Sequence, residues 1–164
     1  MRHTSFEGQA CPIARSLERV GEWWSILILR DAFLGATRFE QFQKSLDIAP
    51  NTLTRRLNAL VEAGLLERHR YCQRPPRDEY RLTAAGRDFR PVMWALLAWG
   101  NRHFAPEGAS VVLADTETGR EADPMLVDWN TGAELKPPRF RTVPGPAADT
   151  STREKFGQVM EALR

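Results

Sequence analysis

The chain has 164 residues, of which 42% are hydrophobic and 27% are charged, as in ordinary folded globular proteins. These proportions exclude a wholly disordered chain, and no apolar run is long enough to span a bilayer. The formal net charge is +2, but residues 1–104 carry 16 basic against 11 acidic side chains, whereas residues 105–164 carry 7 against 10. Because the start MRHTSFEG also lacks a signal-peptide apolar region, we expect a soluble cytoplasmic protein.

Two helices are predicted first. Residues 12–20 form the first one, since apolar side chains recur there at helical spacing and proline occupies the first position. Cys11 then lies at its N-cap. Residues 23–34 form the second, which is apolar on nearly all sides and ends at Gly35, so we expect it to be the central buried helix.

A third, short helix is predicted to run to about Leu46. Thr37 and Glu40 have the spacing of a capping box, in which the hydroxyl and the carboxylate satisfy free backbone amides. Phe39 and Phe42 would face the core.

The helix predicted at residues 50–63 is the most informative one. Proline starts it, Gly64 ends it, and one stripe of it is apolar. That stripe consists of Leu53, Leu57, Leu60 and Val61. The opposite face and its flanks carry small hydrogen-bonding residues and arginines in the N-terminal half, which is the chemistry that reads base edges.

A β-hairpin and a long helix are predicted next. Residues 65–71 and 78–82 alternate with period two and enclose a stiff, basic tip that contains two prolines. Thr83 then caps a helix that runs to about residue 104, with a broad apolar stripe and a proline at position 91 that is expected to kink it.

The remaining segment contains an internal repeat with a period of 13 residues. Six residues of the segment 113–124 recur thirteen positions later: Leu113, Asp115, Thr118, Gly119, Glu121 and Pro124 correspond to Leu126, Asp128, Thr131, Gly132, Glu134 and Pro137. Each unit is typical of a strand, a turn and a strand. Residues 110–143 are therefore predicted to form a small antiparallel sheet. A linker follows, and a last helix is predicted from a capping box of Ser151 and Glu154. Its apolar face comprises Phe156, Val159, Met160 and Leu163.

This order of elements predicts an α+β winged helix-turn-helix, mainly helical with a β-hairpin wing, that binds double-stranded DNA. The residues expected to read bases are Asn51, Thr52, Thr54, Arg55 and Asn58. The residues expected to hold the DNA backbone are Arg38, Arg56, Arg74 and Arg77. The alternative is a winged helix that serves only as a protein-interaction module. No motif supplies a nucleophile with its base, or a phosphate loop, so we do not expect an enzyme.

Several segments together resemble the HxlR family of transcriptional regulators over roughly residues 10–104. They are CPIARSLERVGEWWSILILRD, RFEQFQ, NTLTRRLNALVEAGLLER and RPPRDEYRLTAAGRDF. The resemblance implies a homodimeric regulator, which we expect to act as a repressor, bound to operators with inverted half-sites, commonly near its own promoter. The apolar stripe of the long helix would then form the dimer interface, and intrachain packing against the C-terminal segment is the alternative. The predicted interface residues are Phe89, Val92, Met93, Leu96, Trp99 and Phe104.

Cys11 is a candidate redox sensor, because some members of this family sense oxidants or electrophiles through the matching cysteine. A thiolate at an N-cap meets the positive end of the helix dipole, and Arg15 follows one turn later; both lower a thiol pKa. The alternative is a small, partly buried cap without a sensing role. Cys72 on the wing is a weaker candidate.

The sequence divides into residues 1–104, for DNA binding and dimerisation, and residues 105–164, a C-terminal extension. Related extensions resemble zinc ribbons with Cys-Gly pairs at the turns, but threonine stands at positions 118 and 131 here, so thiolate ligation is excluded there. We predict no metal and no cofactor. The extension is expected to be structural, with an effector pocket or a dimer contact as the lesser alternatives.

Overall fold

The fold was examined in a computed structural model, which describes Phe6 and residues 9–162, with side chains up to residue 157. The described chain contains seven helices and one two-stranded antiparallel sheet. They are α1 (Pro12–Val20), α2 (Trp23–Phe33), α3 (Phe39–Leu46), α4 (Pro50–Glu62), β1 (Leu66–Gln73), β2 (Pro76–Leu82), α5 (Ala84–Asp88), α6 (Arg90–Phe104) and α7 (Thr150–Ala162). No helix in the described part of the chain is long and apolar enough to cross a membrane.

The chain divides into two compact units. The larger one is Ser16–Pro124, and the smaller one combines the described residues of Met1–Arg15 and Met125–Arg164. The larger unit contains α2 to α6, the sheet and the first copy of the thirteen-residue repeat. The smaller unit contains the second copy and α7.

The core of the larger unit lies between α2, α3, α4 and the start of β1. Its fully buried large side chains are Ile28, Leu29, Phe42, Leu53, Leu57, Leu60 and Leu66. The apolar stripe predicted for α4 is thereby confirmed, with Val61 packed at its margin. The prediction that α2 is the central buried helix holds for most of its length, where Ser25, Ile28, Leu29 and Asp31 are buried. Trp23 at its start is the exception, since it is 73% exposed.

The start of α3 differs from the prediction by one residue. Because the helix begins at Phe39, the side chain that reaches back is that of Gln41, whose Oε1 accepts the backbone N–H groups of Thr37 (2.9 Å) and Arg38 (2.8 Å). The predicted pairing of Thr37 with Glu40 is therefore wrong. A polar side chain near the start of the helix nevertheless accepts the free backbone amides, as the prediction assumed.

A short turn joins α3 to α4. Asp47 ends α3 in the left-handed region, with φ at +48°, which reverses the chain direction within a few residues. Ile48 is buried beneath the turn, and Pro50 is the first residue of α4. These three residues set the angle at which α4 leaves the core, as a helix-turn-helix requires.

The hairpin has longer strands and a shorter tip than predicted. Pairing extends to Gln73 and Pro76, so only two residues form the turn, and the register shifts between Arg70 and Cys72. The outer edge of β2 also contacts the loop before α3, since the Tyr80 N–H donates to the carbonyl of Thr37 (2.7 Å). This extra contact attaches the wing to the helix-turn-helix.

The long helix predicted after Thr83 is two helices, α5 and α6, separated at Phe89. Pro91 lies in the first turn of the second helix rather than kinking a continuous one, because a first-turn position does not use the N–H that proline lacks. Thr83 caps α5 as predicted: its Oγ1 accepts the N–H of Gly86 (3.0 Å) and donates to the carbonyl of Gly64 (2.6 Å).

The two copies of the repeat form matching turns. In the first, the carboxylate of Asp115 accepts from the hydroxyl of Thr118 (2.9 Å), and the Gly119 N–H donates to the Asp115 carbonyl (2.8 Å). In the second, Asp128 makes the same two bonds to Thr131 (2.5 Å) and Gly132 (2.7 Å). The predicted sheet is wrong for the described residues, because each copy closes with one isolated bridge only.

Helix α7 begins two residues earlier than the capping box predicts, at Thr150 rather than Thr152. Its first turn is capped by Asp149, whose Oδ1 accepts the backbone N–H of Thr152 (2.7 Å) and the hydroxyl of Ser151 (3.0 Å). The predicted box of Ser151 with Glu154 is therefore wrong. Phe156 is half-buried, whereas the side chains of Val159 and Met160 and the whole of Leu163 lie outside the described residues.

Candidate DNA-binding surface

The N-terminal half of α4 presents the polar face on which the sequence places base recognition. Asn51, Thr54 and Arg55 are exposed, and Thr52 and Asn58 are half-buried beside them. Together with Ala59 and Glu62, most of these residues line a shallow, open concavity. The buried leucines on the opposite side of α4 fix which face points outward.

Arg55 is the exposed cation at the centre of this face. It makes no ion pair with any described residue, and the first turn of α4 contains no acidic side chain. The guanidinium therefore keeps its five donors for an external acceptor. Guanine edges and phosphates offer acceptors in the matching geometry.

Asn58 is joined to the wing by a residue that the sequence analysis did not single out. The Arg68 guanidinium on β1 donates to the Asn58 carboxamide oxygen and also lies 5.5 Å from the ring centre of Tyr80, with which it is paired across the hairpin. The sequence signal that could have indicated Arg68 is the pair of arginines at alternate positions, 68 and 70, on one face of the strand. The link fixes the wing against α4, with an exposed cation at the junction.

Arg56 has a different environment from the other predicted DNA contacts. Its guanidinium pairs with the carboxylate of Glu22 at 2.8 Å, and its side chain is only 16% exposed. Its Nε is buried and has no hydrogen-bond partner in the described residues. This placement does not match the predicted phosphate contact; instead, Arg56 joins α4 to the start of α2.

The remaining predicted backbone contacts lie on or beside the wing. Arg74 and Arg77 are exposed at its tip and have no ion-pair partner in the described part of the chain. Arg38 is exposed at the loop that joins β2, with its guanidinium carbon 4.8 Å from the ring centre of Tyr71. The tip of the wing and the loop beside β2 therefore both present cations on the wing side of the unit.

One other wing arginine is neutralised locally. Arg70 donates to Asp78 across the hairpin at 2.9 Å, and this hydrogen bond lowers the pKa of the Asp78 carboxyl group. Since the pair satisfies both charges, Arg70 contributes less to the external field than the arginines at the tip.

The predicted dimer residues divide into two groups. Phe89 packs against the core of its own chain and Met93 is half-buried, so neither is a free surface residue. The other four are exposed, although all are large and apolar: Val92, Leu96, Trp99 and Phe104. The rings of Trp99 and Phe104 meet edge to face with centroids 4.8 Å apart.

The comparison with family models gives one match, from residue 19 to residue 108, to the HxlR-like helix-turn-helix family. This range covers more than half of the chain. The protein belongs to the HxlR-like helix-turn-helix family. It is therefore a transcriptional regulator of the helix-turn-helix type, and the fold resemblance seen in the sequence is confirmed.

Relatives and solved structures agree with the HxlR assignment. An HTH-type transcriptional regulator of Mycobacterium tuberculosis is 43% identical over 142 residues, which are 86% of this chain and 89% of the relative. A transcription factor of Pseudomonas aeruginosa, PA1374, is 56% identical with a TM-score of 0.65, over 88% of this chain and 99% of that one. The redox regulator HypR, in its oxidised form, is 31% identical with a TM-score of 0.52, over 57% of this chain and 97% of that one.

Cys11 of this HxlR-family chain is exposed immediately before α1. The backbone N–H groups of Ala14 and Ile13 bond to its sulfur and lower the thiol pKa, and Lys155 of the same compact unit lowers it further. Arg15, predicted to supply this charge, instead donates to the carbonyl of Gln9 at 2.7 Å. Cys72 is half-buried and its Sγ lies 3.6 Å from the carbonyl oxygen of Arg74.

Among the residues that the structure describes, no group of three or more potential ligands is placed to hold a metal ion. The two Asp-Thr-Gly turns satisfy their carboxylates internally, through the threonine hydroxyl and nearby amides. The expectation that residues 118 and 131 hold no metal remains a prediction.

Proposed function

We propose that this HxlR-family regulator binds operator DNA as a homodimer, with the N-terminal half of α4 in the major groove. The observation that carries the proposal is the exposed guanidinium of Arg55, at the centre of a polar helix face, which forms no ion pair with a residue that the structure describes. Arginine pairs bidentately with guanine, and asparagine pairs with adenine. Base reading is assigned to Asn51, Thr52, Thr54, Arg55 and Asn58.

The wing supplies sequence-independent affinity in this proposal. Arg74 and Arg77 hold the DNA backbone or an adjacent minor groove, and Arg38 holds phosphate next to α3. Arg68, which bonds to Asn58, is added to this set because it lies between the wing and α4. Arg56 is left out, since its guanidinium pairs with Glu22 within the chain and its side chain is only 16% exposed.

Dimerisation through α6 is supported by the exposure of its apolar stripe. The first repeat packs elsewhere on the helix, through a hydrogen bond from Asn101 to the Val111 carbonyl (2.9 Å) and an ion pair of Arg102 with Asp123 (3.5 Å). These contacts leave Trp99 about half exposed. A twofold dimer would read an inverted-repeat operator. Bound at an operator that overlaps a promoter, it would exclude RNA polymerase, so we propose that it is a repressor. We place it in the cytoplasm and assign it no enzyme activity.

Titration of a labelled DNA fragment from upstream of the gene, at several salt concentrations, tests DNA binding. Affinity should fall steeply with salt, because phosphate contacts release counterions. Arg55→Ala should cost about 1–3 kcal/mol of preference over a scrambled fragment. Arg74→Ala should weaken both fragments alike and reduce the salt slope by about 1.

Arg120→Ala, at an exposed turn of the first repeat, is the matched control and should behave as wild type. Equal binding of both fragments by the wild-type protein, or none, would instead favour the protein-interaction module.

Light scattering of Trp99→Glu tests the dimer. A carboxylate in the middle of an apolar interface is left desolvated without a partner, so this variant should be monomeric. Trp129→Glu is the control, since Trp129 is 95% exposed in the second repeat and should leave a dimer intact. A monomeric wild type, or a dimeric Trp99→Glu, would contradict the proposed interface.

We also propose that Cys11 responds to oxidants, because its exposed thiol has a lowered pKa and a similar solved structure is that of a redox regulator. Thiolate is the reactive form, so a lowered pKa increases reactivity near neutral pH. A mild oxidant should release wild-type protein from the operator and leave Cys11→Ser bound. Cys72→Ser should respond like wild type. If Cys11→Ser is released equally, Cys11 is not the sensor.

A further inference from the structure

A cavity that is open to solvent on one side, with a volume of about 530 Å³, lies between α6 and the first copy of the repeat, entirely within the larger unit. This volume is within the range of about 300–1,000 Å³ that small-molecule sites occupy. The residues that matter for its chemistry are Trp94, Leu97, Ala98, Arg102, Glu121 and Asp123.

The helical wall of the cavity lies opposite the middle of the stripe proposed for dimerisation. Trp94, Leu97 and Ala98 follow the i, i+3, i+4 spacing of one helix face, whereas Leu96 and Trp99 are about half a turn away. Phe104, at the end of the helix, falls on the side of Leu97. A ligand in the cavity therefore leaves Leu96 and Trp99 free for a partner subunit.

The charge of the cavity favours a cation. Two carboxylates, of Glu121 and Asp123, face it together with one guanidinium, that of Arg102. Arg102 is already paired with Asp123 at 3.5 Å, while Glu121 forms no ion pair with any described residue. An amine that enters the cavity would give Glu121 an opposite charge, whereas an anion would meet uncompensated repulsion.

The apolar part of the wall favours a ligand with a hydrophobic body. Leu97 and Val112 line it, and the indole of Trp94 offers a π-face, which attracts organic cations as well as apolar groups. We propose that this cavity is a binding site for amphipathic organic amines, compounds that combine an aromatic or aliphatic body with a protonated nitrogen. The amine lies against Glu121 and the apolar body lies against α6.

Three indoles that differ mainly in charge test this assignment with the full chain: tryptamine (cationic), tryptophol (neutral) and indole-3-acetate (anionic). Calorimetry should show the tightest binding for tryptamine. Glu121→Gln should weaken tryptamine about fivefold, as loss of one solvent-accessible ion pair predicts. Ala98→Phe should remove binding by filling the cavity.

The repeat supplies a matched control, because Glu134 occupies the position in the second copy that Glu121 occupies in the first. Glu134→Gln should bind tryptamine like wild type. The proposal is overturned if tryptamine does not bind, if the three indoles bind equally, or if both glutamine variants weaken binding alike. Binding that persists in a folded Ala98→Phe variant would also overturn it.

Discussion

The helix-turn-helix region and the two thirteen-residue repeats are ordered by different interactions. In the former, leucines of α4 and the ring of Phe42 are fully buried among residues that are far apart in sequence. In the repeats, Leu126 and Trp129 remain exposed, and the order comes from hydrogen bonds within a few residues of Asp115 and Asp128. Burial thus stabilises one region, and local hydrogen bonding shapes the other.

This difference suits α4 to the base-reading role that we propose for it. A recognition helix must keep its orientation while one side is exposed, and close packing of the other side provides that rigidity. A hydrogen-bonded turn contributes less free energy, since each bond replaces one to water. The following substitutions test the contrast.

Leu57→Ala should have the largest effect. Removal of a fully buried leucine leaves a cavity and costs about 2–5 kcal/mol of unfolding free energy. Leu126→Ala, in the second repeat, removes an exposed side chain and should change the free energy by less than about 0.5 kcal/mol. Urea denaturation at one protein concentration measures both, and similar losses would contradict the contrast.

Glycine substitutions at a packed and at an open position should differ by a smaller margin. A Cβ on Gly86 would lie 2.1 Å from the carbonyl oxygen of Leu65, so Gly86→Ala should destabilise by about 1–3 kcal/mol. On α7, a Cβ added at Gly157 would have no described atom within 4 Å, and Gly157→Ala should stabilise that helix by up to about 1 kcal/mol. Thermal unfolding of both variants measures the sign of each change in stability. If Gly86→Ala left the stability unchanged, the backbone at Leu65 would have to move at little cost, and the predicted clash would be wrong.

The smallest effect is expected in the turns, as a pH dependence. Amide and hydroxyl donors lower the pKa of Asp115, with the Glu117 N–H contributing most. The ionised carboxylate is thus favoured in the turn, so its stabilisation is complete above the unfolded pKa of about 3.9 and is lost as pH falls through the lowered value. In a carboxyl NMR titration, Thr118→Val should raise the Asp115 pKa and leave Asp128 unchanged; an unchanged Asp115 would exclude the hydroxyl as a cause.

Local sequence signals predicted much of the fold. Proline and glycine placed the limits of α1, α2 and α4 within one residue, since these residues act through backbone geometry alone. The leucine spacing of α4 predicted which side is buried, and therefore which side faces outward. The Asp-Thr-Gly turns were also predictable, because all of their bonds lie within one short segment.

Interactions between distant residues were not predictable in the same way. Arg56 and Glu22 are 34 positions apart, so neither periodicity nor spacing indicated that Arg56 would be enclosed. The contact of the Arg38 loop with β2 and the separation of α5 from α6 at Phe89 also depend on packing. The capping box predicted for Thr37 and Glu40 was wrong for a smaller reason. Because α3 starts one residue later, Gln41 rather than Glu40 occupies the third helical position and accepts the backbone N–H groups.

The pair of Arg56 and Glu22 also restricts how this scaffold can be redesigned for new operators. If α4 reads the operator as proposed, a library of altered specificity can vary the exposed residues Asn51, Thr54 and Arg55 without touching the folded core. Replacement of the entire helix by that of another regulator would remove the ion pair that joins α4 to Glu22, unless the donor sequence brings a basic residue to position 56. Grafts should therefore exchange positions 22 and 56 together.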